Sequence, residues 1–143
     1  MRKFLVPAVL AVALVLPGQA AAKSIHYTGT VSPSGTIGFN VVKKKKKKGK
    51  KKPKPTLNGF SFAGVPVNCD EGAKTAHGFV SFPVKLVGGS FNIVAQSSTG
   101  ANLAIHGNLA TGTIELSGNV AIEPSGTGTN CQSGVLSWTA QRG

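Results

Sequence analysis

From Lys23 onward the apolar residues recur at every second position, in short runs broken by Gly, Ser, Thr and Asn. No stretch of ten or more residues carries the 3.6-residue repeat of an amphipathic helix. A chain patterned this way folds as strands, because alternate side chains of an extended backbone point to opposite faces and one face is then apolar. Ile25 and Tyr27 alternate with His26 and Thr28; Ile37, Phe39 and Val41 alternate with Gly38 and Asn40. Phe60 and Phe62 sit on even positions, whereas Val65, Val67 and Cys69 sit on odd ones. One residue must be absorbed between the two sets, and a bulge near Ala63-Gly64 does it.

Val80, Phe82, Val84 and Leu86 form the clearest alternation, followed by Gly88-Gly89 and then Phe91, Ile93 and Ala95. A two-residue loop predicts a hairpin pairing Leu86 with Phe91 and Val84 with Ile93, with Pro83 marking an edge strand. Leu103 and Ile105 share a face with Ile114 and Leu116 if the loop between them is even, either Ala110-Thr111 or Leu109 to Gly112. That register sets His106 opposite Glu115. Val120 and Ile122 keep the parity of Ile114 and predict a long strand. Leu136, Trp138 and Ala140 predict the last strand, with Trp138 facing the core.

About eight such strands predict an all-β fold, an antiparallel β-sandwich of immunoglobulin-like or jelly-roll type; a closed barrel is the alternative. The chain departs from a true immunoglobulin domain in two places. Its single tryptophan, Trp138, follows the second cysteine, and Thr129 stands two positions before that cysteine where a tyrosine is expected. Few aromatics and no regular ten-residue spans argue against an outer-membrane barrel.

The segment before the strands is of another kind. Arg2 and Lys3 precede an apolar run from Phe4 to Leu16, then Pro17-Gly18 and the small residues Ala20-Ala21-Ala22. These are the three regions of a secretory signal peptide in order, and the apolar run is shorter than the roughly 20 residues a membrane span needs. Residues 1–22 are therefore read as a signal-peptide helix, with cleavage near Ala21 or Lys23, and 23–143 as a single secreted or cell-surface domain with no membrane span of its own. An exported chain meets an oxidising compartment, so Cys69 and Cys131 are expected to form a disulfide; two free buried thiols are the alternative.

Of the formal charge of +12, two come from Arg2 and Lys3 in the N-terminal segment and the other ten from a single stretch. Ten of the twelve residues from Lys43 to Lys54 are lysine: Lys43, Lys44, Lys45, Lys46, Lys47, Lys48, Lys50, Lys51, Lys52 and Lys54. In the rest of 23–143, Lys23, Lys74, Lys85 and Arg142 balance Asp70, Glu71, Glu115 and Glu123. So many ammonium groups repel one another and cannot be buried, so residues 43–55 are expected to project as a Lys-rich loop between the strands around Phe39 and Phe60.

The order of a Lys/Gly-rich segment, Phe60-Ser61-Phe62, Val65-Pro66-Val67-Asn68-Cys69, an apolar hairpin, Cys131-Gln132-Ser133-Gly134 and Trp138-Thr139-Ala140 resembles a group of small secreted two-cysteine β-sandwich proteins of bacteria, described as hypothetical proteins. The resemblance implies a secreted β domain with one disulfide and brings no activity, cofactor or catalytic residue with it.

Groups for enzyme chemistry are few. Asp70 and Glu71 are adjacent and would face apart on a strand; Glu115 and Glu123 share parity but lie far apart, so no carboxylate pair faces one cleft. His77 falls in a polar loop after Asp70 and Glu71, at no common metal-ligand spacing, and no Gly-x-Ser-x-Gly elbow precedes a helix. The reading is of a non-catalytic protein without metal or cofactor. Its ten lysines would adhere to polyanions, such as anionic wall polymers, acidic polysaccharide or extracellular DNA, with no sequence-specific nucleic-acid recognition because no aromatic residue is interleaved. A structural envelope component without a ligand and a carbohydrate- or protein-binding module are the alternatives.

Overall fold

The structure, a computed structural model, describes residues 23–44, 48, 49, 51 and 53–143. Residues 1–22, read above as a signal peptide, lie outside the described residues, as do Lys45, Lys46, Lys47, Lys50 and Lys52. The described chain is all-β: β1 (Lys23–Ser32), β2 (Thr36–Lys43), β3 (Thr56–Cys69), β4 (Gly72–Phe79), β5 (Val84–Lys85), β6 (Phe91–Gln96), β7 (Ala101–Gly107), β8 (Thr111–Gly118) and β9 (Cys131–Arg142). Every pairing is antiparallel, and the path through the sheet is β4-β3-β2-β1-β9-β8-β7-β6, with β5 attached to β3. The first and last strands are neighbours: Val31 pairs with Trp138 and Tyr27 with Arg142.

β3 is the most connected strand. It pairs with β2, β4 and β5, and its far end reaches β9 through Asn68↔Gln132, so β3, β2, β1 and β9 form a closed circuit. It can do so because it bends. The β3–β4 register shifts between Phe62 and Val65, at the parity change, and Gly64 there has φ 68°, in the region glycine tolerates.

The alternating residues meet in one core. Tyr27, Phe39 and Phe60 stack in sequence, with ring centroids 5.1 and 5.7 Å apart. Phe39 and Phe60 also contact Phe91 and Trp138 from the other half of the sheet, at 6.0–6.3 Å among the four rings apart from their own stack. Trp138 is 1 % exposed, and its indole N–H donates to the Thr113 carbonyl at 3.1 Å, so the one polar atom of the ring is satisfied. Room for the indole comes from Gly112, directly opposite in register: a Cβ there would run into the Trp138 ring and the His106 carbonyl oxygen.

Four sequence expectations are corrected. The Val80–Leu86 alternation is no strand of a β5–β6 hairpin. Only Val87↔Ser90 pairs across Gly88-Gly89, while Val84 and Lys85 pair with Leu57 and Thr56. Here the Val80 N–H donates to the Phe60 carbonyl and the Leu86 N–H to the Pro55 carbonyl, so the segment follows β3, and Phe82 is 45 % exposed rather than buried. His106 stands opposite Thr113, and Glu115 opposite Ala104. The Asn108 side chain accepts the N–H groups of Ala110 and Thr111, which shapes the turn; the register slides by two residues, so Ile105 stands opposite Ile114 instead of Leu116 and Leu103 opposite Leu116, with the apolar face unchanged. β8 ends at Gly118, whose φ of 86° turns the chain away, so Val120 is buried from a loop, and Glu123 lies in that loop too. His77 sits on β4 rather than in a loop.

Candidate functional site

The antiparallel register sorts the charges to two ends of the sheet. At one end β1 begins and β2 finishes, with Lys23 directly opposite Lys43. β3 begins there at Thr56, opposite Lys85 on β5, while β9 stops short of that end, with Arg142 opposite Tyr27, four residues along β1 from Lys23. The connection from β2 to β3 also springs from this end. Lys43, Lys44, Lys48, Lys51 and Lys54 are all exposed. Lys43 is the last residue of β2, so the lysine run starts on the sheet and not beyond it.

The opposite end is acidic and tied down. Cys69, at the end of β3, is bridged to Cys131, at the start of β9. Neither is a free thiol, and the pair follows from register, because Asn68↔Gln132 sets the next residues of the two strands side by side. The carboxylates fasten the loop that precedes Cys131. Glu71 accepts the Thr129 N–H at 2.9 Å and the Thr129 hydroxyl at 3.1 Å, and Asp70 accepts the Asn130 side-chain N–H at 2.9 Å. Glu123 accepts the N–H of Gly64, the bulge residue, at 2.7 Å. The Thr129 N–H is the main reason the Glu71 carboxyl ionises below its ordinary range. These acids are structural acceptors and share no common cleft.

The histidines stand apart from one another. His26 is exposed and shares a hydrogen bond with the Asn40 side chain at 2.9 Å; His106 is exposed on β7. Among the described residues no group of three or more His, Cys, Asp or Glu side chains converges to hold a metal, and no helix is long and apolar enough to cross a membrane.

One feature had no clear sequence signal. An apolar cleft of about 460 Å3 opens between β4 and the β6–β7 turn, with Phe62, Val80, Leu103 and Leu116 among its lining residues. Phe79 and Phe82 also line it and are 65 % and 45 % exposed. His77 contributes to the lining, and its Nδ1 is buried without a protein hydrogen bond. Phe79 was hidden because its neighbours Gly78 and His77 break the alternation, and Phe82 because a false alternation assigned it to the core. The aromatics that could have served as a sugar-stacking platform, Tyr27 and Trp138, are both buried.

Comparison with protein-family models, with curated proteins and with solved structures found no match.

Proposed function

We propose that this is a non-catalytic secreted or cell-envelope protein that adheres to polyanions through its Lys-rich loop. The observation that carries the reading is the placement of the lysine run. It spans the connection from β2 to β3, and each of its described lysines is exposed. Clustered ammonium groups with no protein carboxylate beside them in the register attract anionic polymers and release their counterions on binding. Wall polymers, acidic polysaccharide and extracellular DNA share that chemistry. Residues 1–22 act as a signal peptide in this reading, cleaved near Ala21 or Lys23. Export would also account for an oxidised Cys69–Cys131 pair.

The finer architecture we infer is a β-sandwich, with β4-β3-β2-β1 as one layer and β9-β8-β7-β6 as the other. The contacts of Phe39 and Phe60 with Phe91 and Trp138 support it, since they join strands from the two halves of the path. A second reading, a binding module for an apolar ligand or protein, is favoured by one observation, the exposed Phe79 and Phe82 beside the cleft.

The adhesion reading is tested on an immobilised polyanion. The protein should be retained, with retention falling steeply as salt rises, and a variant with all ten lysines replaced by serine should elute at much lower salt. Equal retention of the two proteins ends the reading. Cell fractionation with and without a high-salt wash tests the location, and a glycan array probed with the serine variant separates sugar recognition from charge.

A further inference from the structure

The lysine loop does not emerge from a neutral surface. On three adjacent strands the inward-facing column of side chains ends in a cation. Ile37, Phe39 and Val41 lead to Lys43; Tyr27 and Ile25 lead back to Lys23; Trp138 and Ala140 lead to Arg142. All three cations are exposed, with their charged heads in water; Lys23 and Lys43 stand at the strand ends, and Arg142, level with Tyr27, lies four residues, or about 13 Å, back along β1 from them. Lys85 adds a fourth from β5, on the outward face. From Lys85 to Lys23 the sheet crosses three strand steps, β5 to β3 to β2 to β1, or about 14 Å at the usual strand spacing. The register partners of the four are Lys43, Lys23, Thr56 and Tyr27, none of them acidic. Lys23 opposite Lys43 is a like-charge pair that works against the sheet until a counter-charge is bound. Asp70, Glu71 and Glu123 meanwhile lie at the other end, hydrogen-bonded to backbone and side chains there.

We propose that Lys23, Lys43, Lys85 and Arg142 form a fixed cationic platform for a linear polyanion, which holds the domain end-on with its disulfide end pointing away. The proposal rests on the polyanion reading above and goes past it. Charge on the folded body shares the binding, and the complex has a defined orientation rather than a tether alone. A polymer lying across the strand ends meets cations set by the sheet, and the loop lysines then add to a contact that exists without them.

The test uses the purified protein and long-chain inorganic polyphosphate, with binding followed by fluorescence anisotropy over a range of salt. Three variants are compared: loop-neutral (the nine lysines from Lys44 to Lys54 changed to serine), platform-neutral (Lys23→Ser, Lys43→Ser, Lys85→Ser and Arg142→Ser) and the two combined. Lys74→Ser, which removes a cation from the other end of the sheet, is the control and should bind as the parent does. Loop-neutral protein is expected to keep salt-dependent binding that the combined variant lacks. Platform-neutral protein should lose about 3 from the slope of log K against log salt, at about 0.7 per cation on a flexible polyanion. Amide hydrogen exchange on the bound parent should show protection around residues 23–26, 83–87 and 139–143, and none around 70–72 or 126–130.

A platform-neutral variant with the parent's slope and affinity, beside a loop-neutral variant with no binding, overturns the platform and leaves loop adhesion standing. Absence of any salt-dependent binding by the parent overturns both. Protection at Phe79 and Phe82 on vesicles of anionic phospholipid, with none at the strand ends on polyphosphate, overturns it in favour of a membrane contact. All four platform residues are exposed, so the thermal melt of their variant checks that the fold is kept.

Discussion

The two ends of the sheet are made from the same strands and are built in opposite ways. At one end a disulfide and three carboxylates fasten the loop before β9 onto β3 and β4. At the other, cations from β1, β2 and β5 gather around the start of a lysine-rich connection, with Arg142 of β9 four residues back along β1, and none has an acidic register partner. Counted over residues 23–143, the charges outside that connection cancel. Folded, the domain is polarised. A net charge therefore says little about a surface until the strand order is known, because antiparallel pairing carries residues far apart in sequence to the same end.

The comparison can be broken most forcefully at the covalent tie. Replacing Cys69 and Cys131 together by serine should cost about 4 kcal/mol, given a sequence separation of 62, read as a shift in the urea midpoint. Under conditions where the variant stays folded, its retention on a polyanion should match the parent's. Parallel loss of both would mean that the ends are not independent. Glu123→Ala removes the acceptor of the Gly64 N–H and should cost about 1–2 kcal/mol by the same measurement. A cost near zero would mean the bulge holds without it.

At the cationic end the sign should reverse. Lys23→Glu turns a like-charge cross-strand pair with Lys43 into an opposite one and should add about 0.5 kcal/mol of stability at low salt, with the gain fading as salt rises. Destabilisation by this change would show that Lys23 contributes packing that its exposure does not suggest. The smallest effect belongs to Glu71. Its ionisation in the folded state lies below the ordinary range, so the folded protein binds fewer protons there than the unfolded chain does. That contribution is complete above the unfolded pKa and is lost as the pH falls through the folded one. Between about pH 6 and pH 3 the urea midpoint of Glu71→Gln should therefore decline less than the parent's. Identical curves would rule out a net role for the Thr129 contact.

The strands that bury one face were legible because alternation is a local record of burial: Ile37-Phe39-Val41 and Leu136-Trp138 read correctly without knowledge of their partners. The bulge at Gly64 was legible for the same reason, since a parity change has to be absorbed somewhere. Val80 to Leu86 carried the same local record and misled. Its turn and its alternation agreed with each other, yet the backbone groups of Val80 and Leu86 bond to β3 and its approach, a choice set by the tertiary fold. The position of His106 depended on an Asn108 side chain capping a turn, which shifts a register without changing any face. The ten lysines were visible as a run of charge. That Lys85 and Arg142 would add to Lys23 and Lys43 was not, because it requires β5 to lie beside β3 and β9 beside β1.

That same adjacency governs the order in which the molecule can be assembled. β1 opens the domain and β9 closes it, and β9 is the strand that joins β1 on one side to β8 on the other. Until β9 is available, β1 to β4 and β6 to β8 are two partial sheets with the Trp138 side of the ring cluster missing. Contacts this distant in sequence delay folding, since the chain must close a very long loop before they form. Joining of the two partial sheets therefore waits for β9, and anything that handles the chain before then meets sheet edges on β1 and β8 that are not yet paired.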